Sequence, residues 1–119
     1  YSSAASDVYK RQDYVKRGIS ICIFPEGTRN TGEELSLLPF HAGSFKIAEK
    51  TGCPIIPVSM NNTISIFEKQ FPRIRKTHVI IEYGKPIYPN ELDKETKKRL
   101  SAHCQQIIQD TINRNQALV

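Results

Sequence analysis

The sequence predicts an α/β fold, a mixed, mostly parallel sheet with flanking helices. Three observations predict it. Residues 19–24 (ISICIF) and 54–60 (PIIPVSM) are short runs rich in β-branched side chains, and neither contains a charge. Between them, residues 42–50 carry Phe45, Ile47 and Ala48 in a helical pattern. Toward the C-terminus, Leu100, Cys104, Ile107, Ile108 and Ile112 recur on one face of a helix. Strand, helix and strand in that order make a β-α-β unit, with a right-handed crossover and parallel strands.

The elements follow in chain order. Residues 1–12 (YSSAASDVYKRQ) have no clear hydrophobic period, and the single methionine is Met60, so Tyr1 is not a translation start. These residues are expected to be a non-native tail and are set apart from the fold. Residues 13–18 (DYVKRG) end a helix, with Lys16 and Arg17 in the last turn and Gly18 as the stop. Residues 19–24 read as a strand covered on both faces, the habit of a parallel sheet. A polar turn with a short apolar approach spans residues 30–39, and Gly52 caps the helix that follows. The second strand begins at Pro54, and Pro57 inside it implies an edge, a bulge or an early end. Residues 61–76 are a loop with one helical turn, and residues 77–84 (THVIIEYG) are a third strand. From Asn90 a long helix is expected, with Asn90 as N-cap and Glu91, Asp93 and Glu95 in its early turns. Its apolar stripe is core packing.

Composition bounds the function without choosing it. A chain of 119 residues suits one domain, and 39% hydrophobic with 24% charged residues describes a globular rather than a disordered chain. The net charge of +5 suits anionic partners: phosphate esters, acidic lipid surfaces or nucleic acid. Cys22, Cys53 and Cys104 are odd in number and contain no C-x-x-C pair, which argues against a disulfide framework or a zinc site. Cys22 and Cys53 are expected to be buried reduced thiols, with a cytosolic setting. No apolar run approaches the ~18 residues of a membrane span.

Chemistry concentrates in FPEGTR, residues 24–29. Ligands of open α/β sheets bind beyond the carboxyl ends of strands, where these residues stand. Pro25 ends the strand and fixes the exit direction. Gly27 opens a backbone conformation closed to other residues and leaves room for a ligand. Thr28 adds a hydroxyl donor, and Arg29 a planar fork that matches two phosphate oxygens. Glu26 can hold that fork, or accept a hydrogen bond from a sugar or glycerol hydroxyl. Together these residues describe a pocket for a phosphate with a hydroxyl beside it. A Glu and an Arg three apart also make an ordinary surface ion pair, worth little, and spacing alone favours that reading. Neither a Walker loop nor a dinucleotide fingerprint is present.

FPEGTR, with LLPFHAGSFKIAEKTGCPIIPVSM after it, resembles the glycerolipid acyltransferase family, the 1-acyl-glycerol-3-phosphate acyltransferases. Phe24, Pro25, Glu26, Gly27, Thr28 and Arg29 match the family's third block without a gap. Ile55, Ile56, Pro57 and Val58 fit the fourth, and residues 78–89 (HVIIEYGKPIYP) resemble the closing strand. The likeness covers roughly residues 13–112 and implies a partial acyltransferase domain, residues 13–119 being its C-terminal part. It implies that Glu26, Gly27, Thr28 and Arg29 bind the phosphate of a lysophosphatidic acid acceptor. It implies an acyl thioester donor, carried by coenzyme A or an acyl-carrier protein, with no other cofactor and no metal. The expected setting is the cytoplasmic face of a membrane.

The family's base is the histidine of a His-x4-Asp block. Here His41, His78 and His103 are followed five places on by Lys46, Tyr83 and Ile108, so the block is absent and catalytic residues are expected upstream. Where the family often has Phe-Lys-x-Gly, this chain has Phe40, His41, Ala42 and Gly43. His41 then offers a weaker, pH-dependent substitute for lysine, or is simply an exposed turn histidine. Two other functions stay open: a non-catalytic phosphate-binding module, and an acyltransferase for another glycerophospholipid acceptor. Phe67 and Phe71 interleave with Lys69, Arg73, Arg75 and Lys76, which suits a lipid interface or single-stranded nucleic acid. The preferred expectation is that both phenylalanines pack on the core and the cations are solvated. A membrane surface comes second, and no nucleic acid is expected.

Overall fold

The computed structural model describes residues 3–32, 35–66 and 68–119. Helix α1 runs over Ser3–Lys16. Gly18 ends it at φ +84°, and the Ile19 amide reaches back to the Tyr14 carbonyl at 2.9 Å. The stop at Gly18 is therefore where the sequence puts it. The same helix takes in residues 3–12, the stretch set apart above for lacking a hydrophobic period.

Residues 19–24 are extended but join no ladder among the described residues. Ile21 and Ile23 are half-buried, whereas Ile19, Ser20, Cys22 and Phe24 are exposed. The expectation of a strand covered on both faces is corrected here. A ladder needs a strand alongside and two-sided cover needs packing on both faces, and among the described residues this run has no paired strand and half-buries just Ile21 and Ile23. Cys22 is accordingly an exposed thiol rather than a buried one, and Cys53 is half-buried.

A single 3-10 turn, Ala42–Phe45, leads into α2, Lys46–Thr51. Gly52 caps α2 in the left-handed region at φ +71°, and its amide bonds the Ala48 carbonyl at 2.8 Å. Among the described residues the sheet has two strands, β1 Val58–Asn61 and β2 Ile80–Tyr83, paired antiparallel with Val58 opposite Tyr83 and Asn61 opposite Ile80. The α/β mixture is present, but the sheet is antiparallel rather than mostly parallel. The chain comes back so that β2 runs antiparallel beside β1. Ile55 and Ile87 add a separate bridge, exchanging two bonds of 2.8 Å. Pro57 lies between bridge and strand, with no N–H to give. Its carbonyl accepts the Gly84 amide at 2.8 Å, so the proline divides the run as expected.

The C-terminal part corrects a second expectation. Residues Pro89–Glu91 form a 3-10 turn, α3 spans Lys94–Lys98, and α4 spans Leu100–Asn115. The N-cap is Asp93, whose carboxylate accepts the Thr96 amide at 3.2 Å. Asn90 lies in the preceding turn, where its side-chain Oδ1 accepts from Lys97 Nζ at 3.1 Å. Leu92 explains the delay: it packs on the core in extended conformation, so no helix can begin before it. The helix then breaks at Arg99, with φ −114° and ψ 36°.

Phe45, Ile87, Leu100 and Cys104 form the buried cluster, with Phe40, Ile55, Leu92 and Ile107 packed against it. The apolar stripe of α4 is core, as its period requires. Burial raises the Cys104 thiol to about 11, so it stays protonated and inert. Asn61, fully buried at the end of β1, donates to the Ile112 carbonyl at 2.9 Å and fixes α4 against the sheet.

Candidate functional site

Residues 24–29 form their turn by local rules. The Gly27 amide donates to the Phe24 carbonyl at 3.1 Å, with Pro25 in the second position, where its fixed φ fits. The Pro25 carbonyl accepts the His41 amide at 2.9 Å, which ties the turn to the entrance of α2. Gly27 has φ +72°, and a Cβ there would lie 2.8 Å from His41 Cδ2 and 2.9 Å from Nε2. Glycine is needed twice over, for the conformation and for the imidazole beside it. The His41 ring thus borders the turn, although His41 as a whole is exposed.

Glu26 has partners the sequence did not suggest. Its Oε2 accepts the Leu38 amide at 2.7 Å and the Asn30 side-chain amide at 3.4 Å. The same Asn30 amide donates to the Ser36 carbonyl at 2.5 Å, and Asn30 Oδ1 accepts the Gly32 amide at 2.9 Å. Glu26 therefore braces the turn against residues 36–38. The Arg29 fork points elsewhere: its Nη1 is 3.8 Å from Glu68 Oε1, and the Arg29 side chain is 78% exposed. So exposed an ion pair holds its members loosely, and a better anion can take the guanidinium. Gly27 and Thr28 are exposed beside it.

Support comes from α4. Gln109 accepts the Leu37 amide at 3.3 Å through Oε1 and donates to the Leu35 carbonyl at 2.7 Å through Nε2. Gln105, one turn earlier, accepts the Phe40 amide at 3.2 Å. A continuous set of contacts runs from α4 through residues 35–40 to Glu26 and the turn. Asn30, Gln105 and Gln109 were missed by sequence reasoning. Both glutamines lie off the apolar stripe, and only their spacing of four on one helix hinted at a shared partner.

Two surface clefts, of about 390 and 300 Å³, are lined by residues around Arg99 and by residues around Phe71, and residues 24–29 line neither. Among the described residues no group of three His, Cys, Asp or Glu side chains is placed to hold a metal ion. No helix among them is long and apolar enough to cross a membrane. Phe71 is 70% exposed, which corrects the expectation that it packs on the core; Phe67 lies outside the described residues. Pro72, Arg73 and Ile74, which follow it, are exposed as well.

Known proteins resemble this chain in sequence and in shape. A family model described as Acyltransferase matches residues 2–61. A 1-acyl-sn-glycerol-3-phosphate acyltransferase from Salmonella typhimurium is 39% identical over 99 residues, 83% of this chain and 39% of that protein. The protein of the same description from Escherichia coli matches at the same identity and coverage. The crystal structure of the 1-acyl-sn-glycerophosphate acyltransferase PlsC from Thermotoga maritima superposes with a TM-score of 0.76 at 25% identity, covering 92% of this chain and 44% of that one. The chain spans about two fifths of the length of these two curated relatives.

Proposed function

Because this chain belongs to the Acyltransferase family, we propose that it is the acceptor-binding part of a 1-acyl-glycerol-3-phosphate acyltransferase. The observation that carries the reading is the exposed Gly27, Thr28 and Arg29 group on a turn braced from two sides. Arg29 exchanges its loose contact with Glu68 for two oxygens of the acceptor phosphate, and Thr28 donates a third hydrogen bond. Gly27 lets the phosphate approach the main chain. Glu26 acts indirectly, by keeping the turn in place, so it is a positioning residue.

The reaction is acyl transfer. The free hydroxyl oxygen of the acceptor attacks the thioester carbonyl carbon. A new C–O ester bond forms, the C–S bond breaks, and the thiol leaves with a proton, giving phosphatidic acid. Removal of the hydroxyl proton needs a positioned base, a typical ~10²–10⁴-fold contribution. The His-x4-Asp pair that serves this purpose in the resemblance is absent from the 119 residues, so the base belongs to other residues of the complete enzyme. The donor is an acyl-coenzyme A or an acyl-carrier protein, and the acceptor is met at the cytoplasmic face of a membrane. In the complete domain a neighbouring strand supplies residues 19–24 with the ladder they lack here, extending the sheet in the mostly parallel sense.

The test is a thiol-release assay on a full-length enzyme carrying these residues, with 1-acyl-glycerol-3-phosphate, glycerol-3-phosphate and a lysophospholipid bearing a headgroup offered as acceptors. Fastest turnover with the first is expected. Preference for another acceptor would transfer the site to that substrate. Phosphate binding without turnover would make the protein a binding module.

A further inference from the structure

We infer that residues 69–76 are a docking surface for an anionic lipid bilayer. Three structural observations meet there. Phe71 and Ile74 are 70% and 73% exposed, the pattern of a pair of apolar side chains offered outward from a loop. Four cations flank them, Lys69, Arg73, Arg75 and Lys76, all exposed, with no acid between positions 69 and 76. The neck of the loop is closed: Gln70 Nε2 donates to the Ser65 carbonyl and, at 2.7 Å, to Thr77 Oγ1, while Thr77 Oγ1 donates to Ser65 at 3.2 Å. A turn inside it, with the Arg73 amide on the Gln70 carbonyl at 2.8 Å, throws the following residues outward.

This chemistry fits a membrane surface better than a groove-binding partner. Two apolar side chains ringed by cations enter the boundary between headgroups and acyl chains while the cations meet lipid phosphates. Lys69, Arg73 and Arg75 also line the 300 Å³ cleft beside Phe71, which gives a headgroup a place among several cations. Single-stranded nucleic acid would need a groove that tracks its backbone with successive stacking rings, and the described part of this loop offers one ring.

The surface adjoins the candidate site. Glu68, immediately before it, is the residue that Arg29 contacts at 3.8 Å. Docking the loop sets the Arg29 fork at the height of the phosphates of lipids still seated in the bilayer. This purpose rests on the acyl-transfer reading, because an acceptor with one acyl chain resides in the membrane.

The experiment measures vesicle partition, which requires no turnover and can fail or succeed independently of acyl transfer. The chain is mixed with vesicles of phosphatidylcholine, or of phosphatidylcholine and phosphatidylglycerol in equal parts. Binding to the second kind only, weakening with salt, is expected. R73Q with R75Q should lower that partition by roughly 25-fold, about fivefold for each cation. The chain has no tryptophan, so F71W is a lone reporter. Its emission should shift to the blue on anionic vesicles and be quenched by brominated lipid. All three substitutions fall on exposed positions, and an unchanged far-ultraviolet circular dichroism spectrum confirms the fold. Equal binding to both vesicles, an R73Q/R75Q chain that binds as before, or bound F71W with unshifted emission would each overturn the proposal. So would displacement of the chain from vesicles by an oligothymidylate that binds it more tightly.

Discussion

Glu26 accepts the Leu38 amide hydrogen at 2.7 Å, across the residues that separate the turn from the entrance of α2. The acid of the Glu-Gly-Thr-Arg group is thus directed at the protein's own backbone. Removing it with E26A strands a half-buried amide and costs about 1.5–3 kcal/mol of stability. E26Q keeps an acceptor oxygen in place and should lose about half of that, since it forgoes only the charge assistance. Denaturant unfolding of both variants checks the order; equal losses would mean that charge, not the bond to Leu38, is what the site requires.

Gln105 and Gln109 should behave as one support. Each holds backbone of residues 35–40, and that segment holds Glu26. In the complete enzyme Q109A should raise the KM for the acceptor several-fold and leave the KM for the donor unchanged, and Q105A added to it should cost less than its effect alone, because the two share one segment. Effects that fall on kcat for both substrates alike would show general loosening instead.

Gly27 is constrained by φ +72° and by the His41 ring. G27A should destabilise the protein by about 1–2 kcal/mol through the left-handed backbone, with a further loss from displacing the imidazole. Truncating the ring with H41A should return the second part and not the first. A double-mutant cycle measures this, and additivity of the two changes would separate His41 from the turn.

Arg29→Lys should weaken use of the acceptor and spare the donor. A fork that meets two phosphate oxygens is replaced by a point charge. Loss of one charge-assisted bond is worth roughly 1.5–3 kcal/mol, or about ten- to a hundredfold in acceptor kcat/KM. Steady-state kinetics with each substrate varied in turn would refute the phosphate role if only the donor were affected, or neither.

Glu82 joins β2 to α4, accepting from Arg114 at 2.5 Å and Asn115 at 2.6 Å. The bond from Asn115 first, and then that from Arg114, hold its carboxyl below the ordinary 4.5. A depressed carboxylate contributes stability that is fully present above its unfolded value and is lost as pH falls through the folded one. The melting temperature should therefore decline on acidification below about 4.5, and E82Q should decline less steeply from a lower start. Parallel curves for the two proteins would remove Glu82 from the acid response.

The sequence by itself determined what depends on neighbours along the chain. Gly18 and Gly52 stop helices because only a residue without Cβ takes those positive φ values cheaply. Pro25 and Gly27 shape the turn, Pro57 divides a strand, and the period of Leu100, Cys104 and Ile112 names the buried face of α4. The six residues at positions 24–29 were legible as one turn-forming group for the same reason, since their chemistry is contiguous. Tertiary structure decided what depends on distant segments. Residues 19–24 carry the composition of a buried strand, but a ladder exists only where a second strand lies alongside. Leu92, seated in the core, moved the helix start from Asn90 to Asp93. Glu26 found Leu38 rather than Arg29, and Gln109 reached residues some seventy positions away. Phe71, apolar enough for a core, stands in solvent because the loop closed by Gln70 and Thr77 carries it outward. A side chain's type limits the bonds it can make, and the folded backbone selects which of them it does make.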